Sequence, residues 1–143
     1  MTRREWAGTL AGTAGLLAFS EKLVSQEYSI GAADIKLGVA SYSFREFPRD
    51  KAIEMTKELG TPYINIKDFH LKLSSSPAEI DQARKEFEDA GLKIVGGGNI
   101  SFQKDDEQDI RSKFEYAKRA GMPLIVCAPT AVTLPKLEKF VKE

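Results

Sequence analysis

His70 is the only histidine of the chain, and neutral imidazole near pH 7 can bind a divalent metal or donate a hydrogen bond to a sugar hydroxyl. A plain surface-loop histidine is the alternative. Three residues earlier stands Lys67, whose ammonium could hold a carboxylate, a phosphate or a developing enolate oxygen, or could form a structural ion pair. Tyr42 and Ser43 offer an aromatic wall and a hydroxyl of the kind that line substrate pockets, and Asn99 offers an amide directly after Gly96-Gly97-Gly98. The three glycines allow backbone to approach backbone or ligand closely. They lack the spacing of a phosphate loop or a dinucleotide fingerprint, which speaks against nucleotide binding.

Other constellations fail on inspection. A Ser-His-Asp arrangement would need His70 as its base, and no nucleophile-elbow pattern is present. Asp105-Asp106-Glu107 precede a helical pattern, where negative charge favours a helix N-terminus, so they read as capping residues. Cys127 is the single cysteine and can form no internal disulfide. Within the apolar run Leu124 to Ala128 it is expected to pack as a small buried hydrophobe.

The elements that must position these groups follow a repeat. Gly60, Gly91 and Gly121 each close a helical pattern and recur at intervals of 31 and 30 residues, the mark of one supersecondary unit copied along the chain. Ser76-Pro77-Ala78-Glu79 supplies an N-cap serine, a proline at the first helical position and a glutamate three after the cap, so a helix is expected over 77–90. Ile80, Ala83, Phe87 and Ala90 share one face of it, as do Ile110, Phe114, Ala117 and Gly121 in the next unit. The runs 37–41, 63–67, 92–95 and 124–127 are short and apolar, and read as strands.

Strand, helix, strand, helix with short links implies parallel pairing through right-handed crossovers. Four such units fit either an open doubly wound sheet or half of a closed eight-stranded barrel. In Tyr63-Ile64-Asn65-Ile66-Lys67 the isoleucines share one face while Asn65 and Lys67 share the other. A central strand of a doubly wound sheet is apolar on both faces, so the fold expected is α/β, a parallel (β/α) TIM barrel present as about its first four units. Active sites of such barrels lie at the carboxyl ends of the strands, which is where Tyr42, Ser43, Lys67, His70 and Asn99 would gather.

Composition sets the wider bounds. With 143 residues, 42% hydrophobic and 29% charged, the chain belongs with ordinary globular proteins. Twenty-one basic residues balance twenty-one acidic ones without a basic block, which disfavours nucleic-acid binding. Arg3-Arg4 followed by Trp6 and the uncharged small-residue run Ala7 to Phe19 is similar to a twin-arginine export signal, with Trp6 where phenylalanine is more usual. The run is shorter than the roughly 20 apolar residues that cross a bilayer, so no stable membrane span is expected. Residues 1–34 thus read as export signal and linker, with a periplasmic or extracellular destination, and residues 35–143 as the folded part.

The segments Lys36 to Arg45, Tyr63 to Leu71, Gly91 to Gly98 and Ala117 to Gly121 together resemble the first four units of the xylose isomerase-like barrels known as sugar phosphate isomerases/epimerases. The resemblance covers about residues 35–143 and rests on the order and spacing of the segments. It implies an eight-stranded barrel holding a divalent metal, manganese, magnesium or another transition ion, on Glu, Asp and His of the later strands. The substrate would be a small sugar or sugar phosphate. Eight units of about 30 residues would need roughly 240, so the resemblance implies a fragment whose main catalytic residues lie beyond Glu143. In the related apurinic endonucleases a histidine after the second strand binds metal, which implies the same for His70. A dehydratase, an apurinic endonuclease or a non-catalytic carbohydrate-binding barrel are the alternatives on the same fold. The fragment alone would be inactive, and its unpaired strand edges favour homo-oligomers.

Overall fold

The computed structural model describes residues 35–142, so the export-signal reading of residues 1–34 lies outside the described residues. The chain runs β1 (Gly38–Ala40), α1 (Arg49–Glu58), β2 (Tyr63–Ile66), α2 (Pro77–Asp89), β3 (Lys93–Phe102), α3 (Glu107–Arg119), β4 (Ile125–Pro129) and α4 (Leu134–Val141).

Local chemistry accounts for the helix boundaries. At α2 the Ser76 side chain accepts the Glu79 N–H and the Glu79 carboxylate accepts the Ser76 N–H at 2.6 Å, which satisfies two otherwise orphaned amides and stabilises the start by about 1 kcal/mol. At α3 the Asp106 carboxylate accepts the N–H groups of Gln108 and Asp109, the capping role expected of the acidic run. The first three helices all end at a glycine with positive φ: Gly60 (71°), Gly91 (77°) and Gly121 (71°). After α2 and α3 the chain closes with a Schellman bond, Leu92 N–H to the Phe87 carbonyl and Met122 N–H to the Ala117 carbonyl, each 2.9 Å. The thirty-residue repeat is therefore one βα unit with its stop signal.

The strands form one parallel sheet in the order β1-β2-β3-β4. Sequential order leaves no point at which the winding reverses, so crossovers of one hand place every helix on the same face. Burial agrees. Ile64, Ile66, Ile100 and Phe102 from the sheet join Ile53, Ile80, Phe87, Ile110, Leu137 and Phe140 from the four helices in a single core. The opposite face carries Tyr63, Asn65 and Lys67, half-buried, together with the exposed Val95, Leu124 and Val126. The doubly wound alternative would have covered this face with helices.

Two details differ from the sequence reading. The third strand does not end at the glycines but runs through them to Phe102, with register shifts against both neighbours, so Asn99 lies inside β3 and not at its end. Cys127 is exposed. It points to the helix side of β4, which among the described residues pairs only with β3, and it lines an apolar groove of about 840 Å³ between α3 and α4. An apolar run marks a strand, but only its neighbours decide whether both faces are covered.

Candidate functional site

At the carboxyl end of β1 the chain turns at once into a 3-10 turn, Ser41–Phe44, because Ser41 is fully buried and its Oγ accepts the Lys67 N–H at 2.8 Å. That bond ties the end of β1 to the end of β2. It leaves Tyr42 and Ser43 on the surface. The Tyr42 ring, 51% exposed, meets the 55% exposed Phe69 edge to face with centroids 5.7 Å apart, an arrangement favoured by the ring quadrupoles. The Arg45 guanidinium lies 4.8 Å from the Tyr42 ring centroid while its Nε pairs with Glu46 at 3.3 Å. Both residues are thus about half exposed to water at this end of the sheet.

Lys67 follows the buried Ile66 and so points with Asn65 to the uncovered face. Its ammonium has no ion-pair partner among the described residues. Asn65 Oδ1 is buried without a hydrogen-bond partner among the described residues, and a β-carbon on Gly96 would sit 3.0 Å from the Asn65 amide nitrogen and 2.8 Å from the Leu124 carbonyl oxygen. The missing side chain at Gly96 is what lets the Asn65 amide lie across β3. Asn99 is exposed on β3 and has no hydrogen bond to the other candidates.

His70 is only 3% exposed, which removes the surface-loop alternative. Its Nε2 lies 3.2 Å from the Phe47 carbonyl, and Nδ1 is buried with no partner among the described residues. A carbonyl can only accept, so Nε2 carries the proton and the neutral ring presents a bare Nδ1 lone pair to the interior. Burial pushes the imidazole below its ordinary value; the Phe47 and Phe44 carbonyls pull the other way, and the Arg49 guanidinium adds to the depression.

The loop after β2 is fastened from two helices. Arg49, at the start of α1, donates from Nη1 to the His70 carbonyl at 3.1 Å and from Nε to Glu86 at 2.6 Å, and holds the Glu86 carboxyl below the usual carboxylate range. From α3 the Tyr116 hydroxyl donates to the Leu71 carbonyl at 2.7 Å, and burial pushes its titration far above that of an ordinary phenol. Sequence reasoning did not single out Phe69, Arg49 or Tyr116. Phe69 was within reach, since the repeat places it after β2 as Tyr42 is placed after β1. Arg49 and Tyr116 act through tertiary contacts that no spacing announces.

The fold thus brings Tyr42, Ser43, Lys67 and His70 to one end of the sheet, and Asn99 follows on β3 just past Gly97, the partner of Ile66. The uncovered ammonium, the hydroxyl and the paired rings can bind a small molecule by stacking and charge. Among the described residues no three His, Cys, Asp or Glu side chains gather closely enough to hold a metal ion, so these residues do not by themselves form a metal centre. No helix among the described residues is long and apolar enough to cross a membrane.

No protein-family model matches the sequence, and no curated protein matches it. The chain is similar to the crystal structure of an uncharacterised protein from Parabacteroides distasonis ATCC 8503, with a TM-score of 0.68 and 21% sequence identity. The match covers 76% of this chain and 49% of that one, so the chain spans about half the length of the protein it resembles. At that identity the likeness is one of fold, and what the chain shares with it is a parallel α/β arrangement of alternating strands and helices.

Proposed function

We propose that the chain forms the first four βα units of a (β/α) barrel that isomerises or epimerises a small sugar or sugar phosphate with the help of a divalent metal. The observation that carries this reading is the sheet: four sequential parallel strands, all helices on one face, and an opposite face that turns Asn65 and Lys67 away from the helical core. Such a sheet curls naturally toward closure, and inward polar groups near the strand ends suit a barrel mouth. The matched part makes up 49% of the similar solved structure, which leaves room there for as many units again.

In this reading Tyr42 and Ser43 form part of the substrate wall, Lys67 holds an anionic group or a developing oxyanion, and Asn99 contacts the substrate from β3. His70 positions the two loops. The metal, manganese, magnesium or another transition ion, would polarise the sugar carbonyl and hydroxyl. Its ligands would come from four further units.

Manganese titration followed by electron paramagnetic resonance, on residues 34–143 and on the same segment completed by four further units, tests the proposal. The 34–143 protein is expected to self-associate through its unpaired strand edges and to bind no manganese at micromolar concentration. The completed barrel is expected to bind the ion and to interconvert aldose and ketose or epimeric sugars only when it is loaded. A monomeric 34–143 protein with micromolar affinity for manganese would refute the division of labour between the halves, and a closed, metal-loaded barrel inert toward sugars would refute the chemistry.

Export belongs to the same proposal. Residues 1–40 fused to a reporter that functions only after folded translocation are expected to direct it out of the cytoplasm. Replacing Arg3 and Arg4 together by lysine should abolish export, and a fusion that travels as well without the arginine pair removes the twin-arginine reading.

A further inference from the structure

We propose that His70 is a latch that holds the loops after β1 and β2 together at the mouth of the sheet only while its ring is neutral. The two loops touch through four ties: Lys67 N–H to Ser41 Oγ, His70 Nε2–H to the Phe47 carbonyl, Arg49 to the His70 carbonyl, and the Tyr42–Phe69 ring pair. His70 is the only titrating group among the atoms that make these ties within the range between pH 5 and 8. His70 is buried at the junction, while Tyr42 and Phe69, the sequence neighbour of His70, stand half in water.

Protonation would place a second N–H at Nδ1, which has no hydrogen-bond partner among the described residues, and a positive charge in a buried site beside Arg49. Both effects favour release of the ring into water. The surrounding charges do not reverse this. Arg49 from α1 is the charge that bears on the imidazole; from α2, Glu86 is already bound to Arg49, and Glu79 is engaged in its own capping box, with Arg49 and Lys72 among the charges that lower it. Asp68 bears on Tyr116, whose hydroxyl from α3 is committed to Leu71. The loop after β1 presents backbone carbonyls at Phe44 and Phe47, which do not outweigh burial. Release of the ring separates Phe47 from His70 and displaces the adjoining Phe69 from its pair with Tyr42, so acid opens the mouth before it unfolds the core.

The sign follows from linkage. The folded chain binds the His70 proton less readily than the unfolded chain, whose imidazole titrates near the ordinary value of 6.5. The stabilisation by the closed latch is complete above that pH and is lost as the pH falls below it.

Because the chain has one histidine, its imidazole C–H resonances identify themselves in an NMR titration of the full 143-residue chain from pH 8 to pH 4.5. The expected result is a midpoint below 6.5, with loss of the Tyr42–Phe69 ring contacts and of the Lys67 amide protection along the same curve, while the β2–β3 amides stay protected. His70→Gln, which can still donate to Phe47 but cannot titrate, should keep the ring contacts at both ends of the range. Ring contacts that survive protonation in the wild type overturn the latch, as does the same acid opening in His70→Gln or simultaneous loss of the β2–β3 amides. If His70→Gln does not fold, the wild-type titration decides alone.

Discussion

Replacing Gly98 by alanine is expected to cost about 3 kcal/mol or more, a large share of the roughly 5–15 kcal/mol that holds a domain of this size together. Gly98 sits in β3 with φ of 113°, a conformation that side chains rarely adopt, and residues held there carry about 1–3 kcal/mol of strain. A β-carbon would also lie inside the envelope of the Val126 carbonyl oxygen and 2.9 Å from the Ile100 amide nitrogen. Both obstacles are backbone, and neither can step aside as a side chain could. β3 and β4 would have to part where the register shifts between Gly97 and Ile100, beside Asn99. Gly60→Ala provides the control, since Gly60 also has positive φ but nothing within 4 Å of the added carbon. It should cost only about 1 kcal/mol. Urea unfolding of the two variants separates strain from collision. A Gly98→Ala penalty no larger than that of Gly60→Ala would show that β3 and β4 do not approach each other as described.

The second large effect is expected at Phe87. Its ring is fully buried at the middle of the core that α2 shares with the sheet, and truncation to alanine removes its contacts and leaves a cavity the surrounding strands cannot collapse into. The loss should be about 3–5 kcal/mol, with Phe87→Leu well below that because most of the volume is kept. For a folded unit near 100 residues each kcal/mol lowers the midpoint by about 4–8 °C, so Phe87→Ala should melt at least about 12 °C below the wild type. The consequence reaches the mouth, because Glu86 on the same helix holds Arg49, and Arg49 holds the His70 carbonyl. Weaker amide protection at Leu71 and His70 should therefore accompany the lower midpoint. A melting change of only a few degrees would mean that α2 does not pack its Ile80–Ala83–Phe87 face on the sheet.

What could be read from residue order alone was whatever depends on local chemistry and periodicity. The capping box at Ser76, the acidic cap at Asp106, the glycine stops and the apolar stripes of α2 and α3 each depend on groups within one or two turns, so their residue types announce them. The alternation Ile64-Asn65-Ile66-Lys67 likewise specified which side chains leave the core, because a strand has period 2 whatever it pairs with. The glycine triplet did not announce that β3 continues to Phe102, because glycine disfavours a strand by propensity and only the close approach of Leu124 and Val126 makes it the residue required. The exposure of Cys127 depended on how many neighbours β4 has. His70 shows the same division: its place after the second strand followed from the repeat, but its burial under Phe47, its bare Nδ1 and its link through Arg49 to Glu86 join residues far apart in sequence. Such contacts exist only once the loops have been packed, and packing rather than spacing decided that the histidine faces the interior of a loop junction.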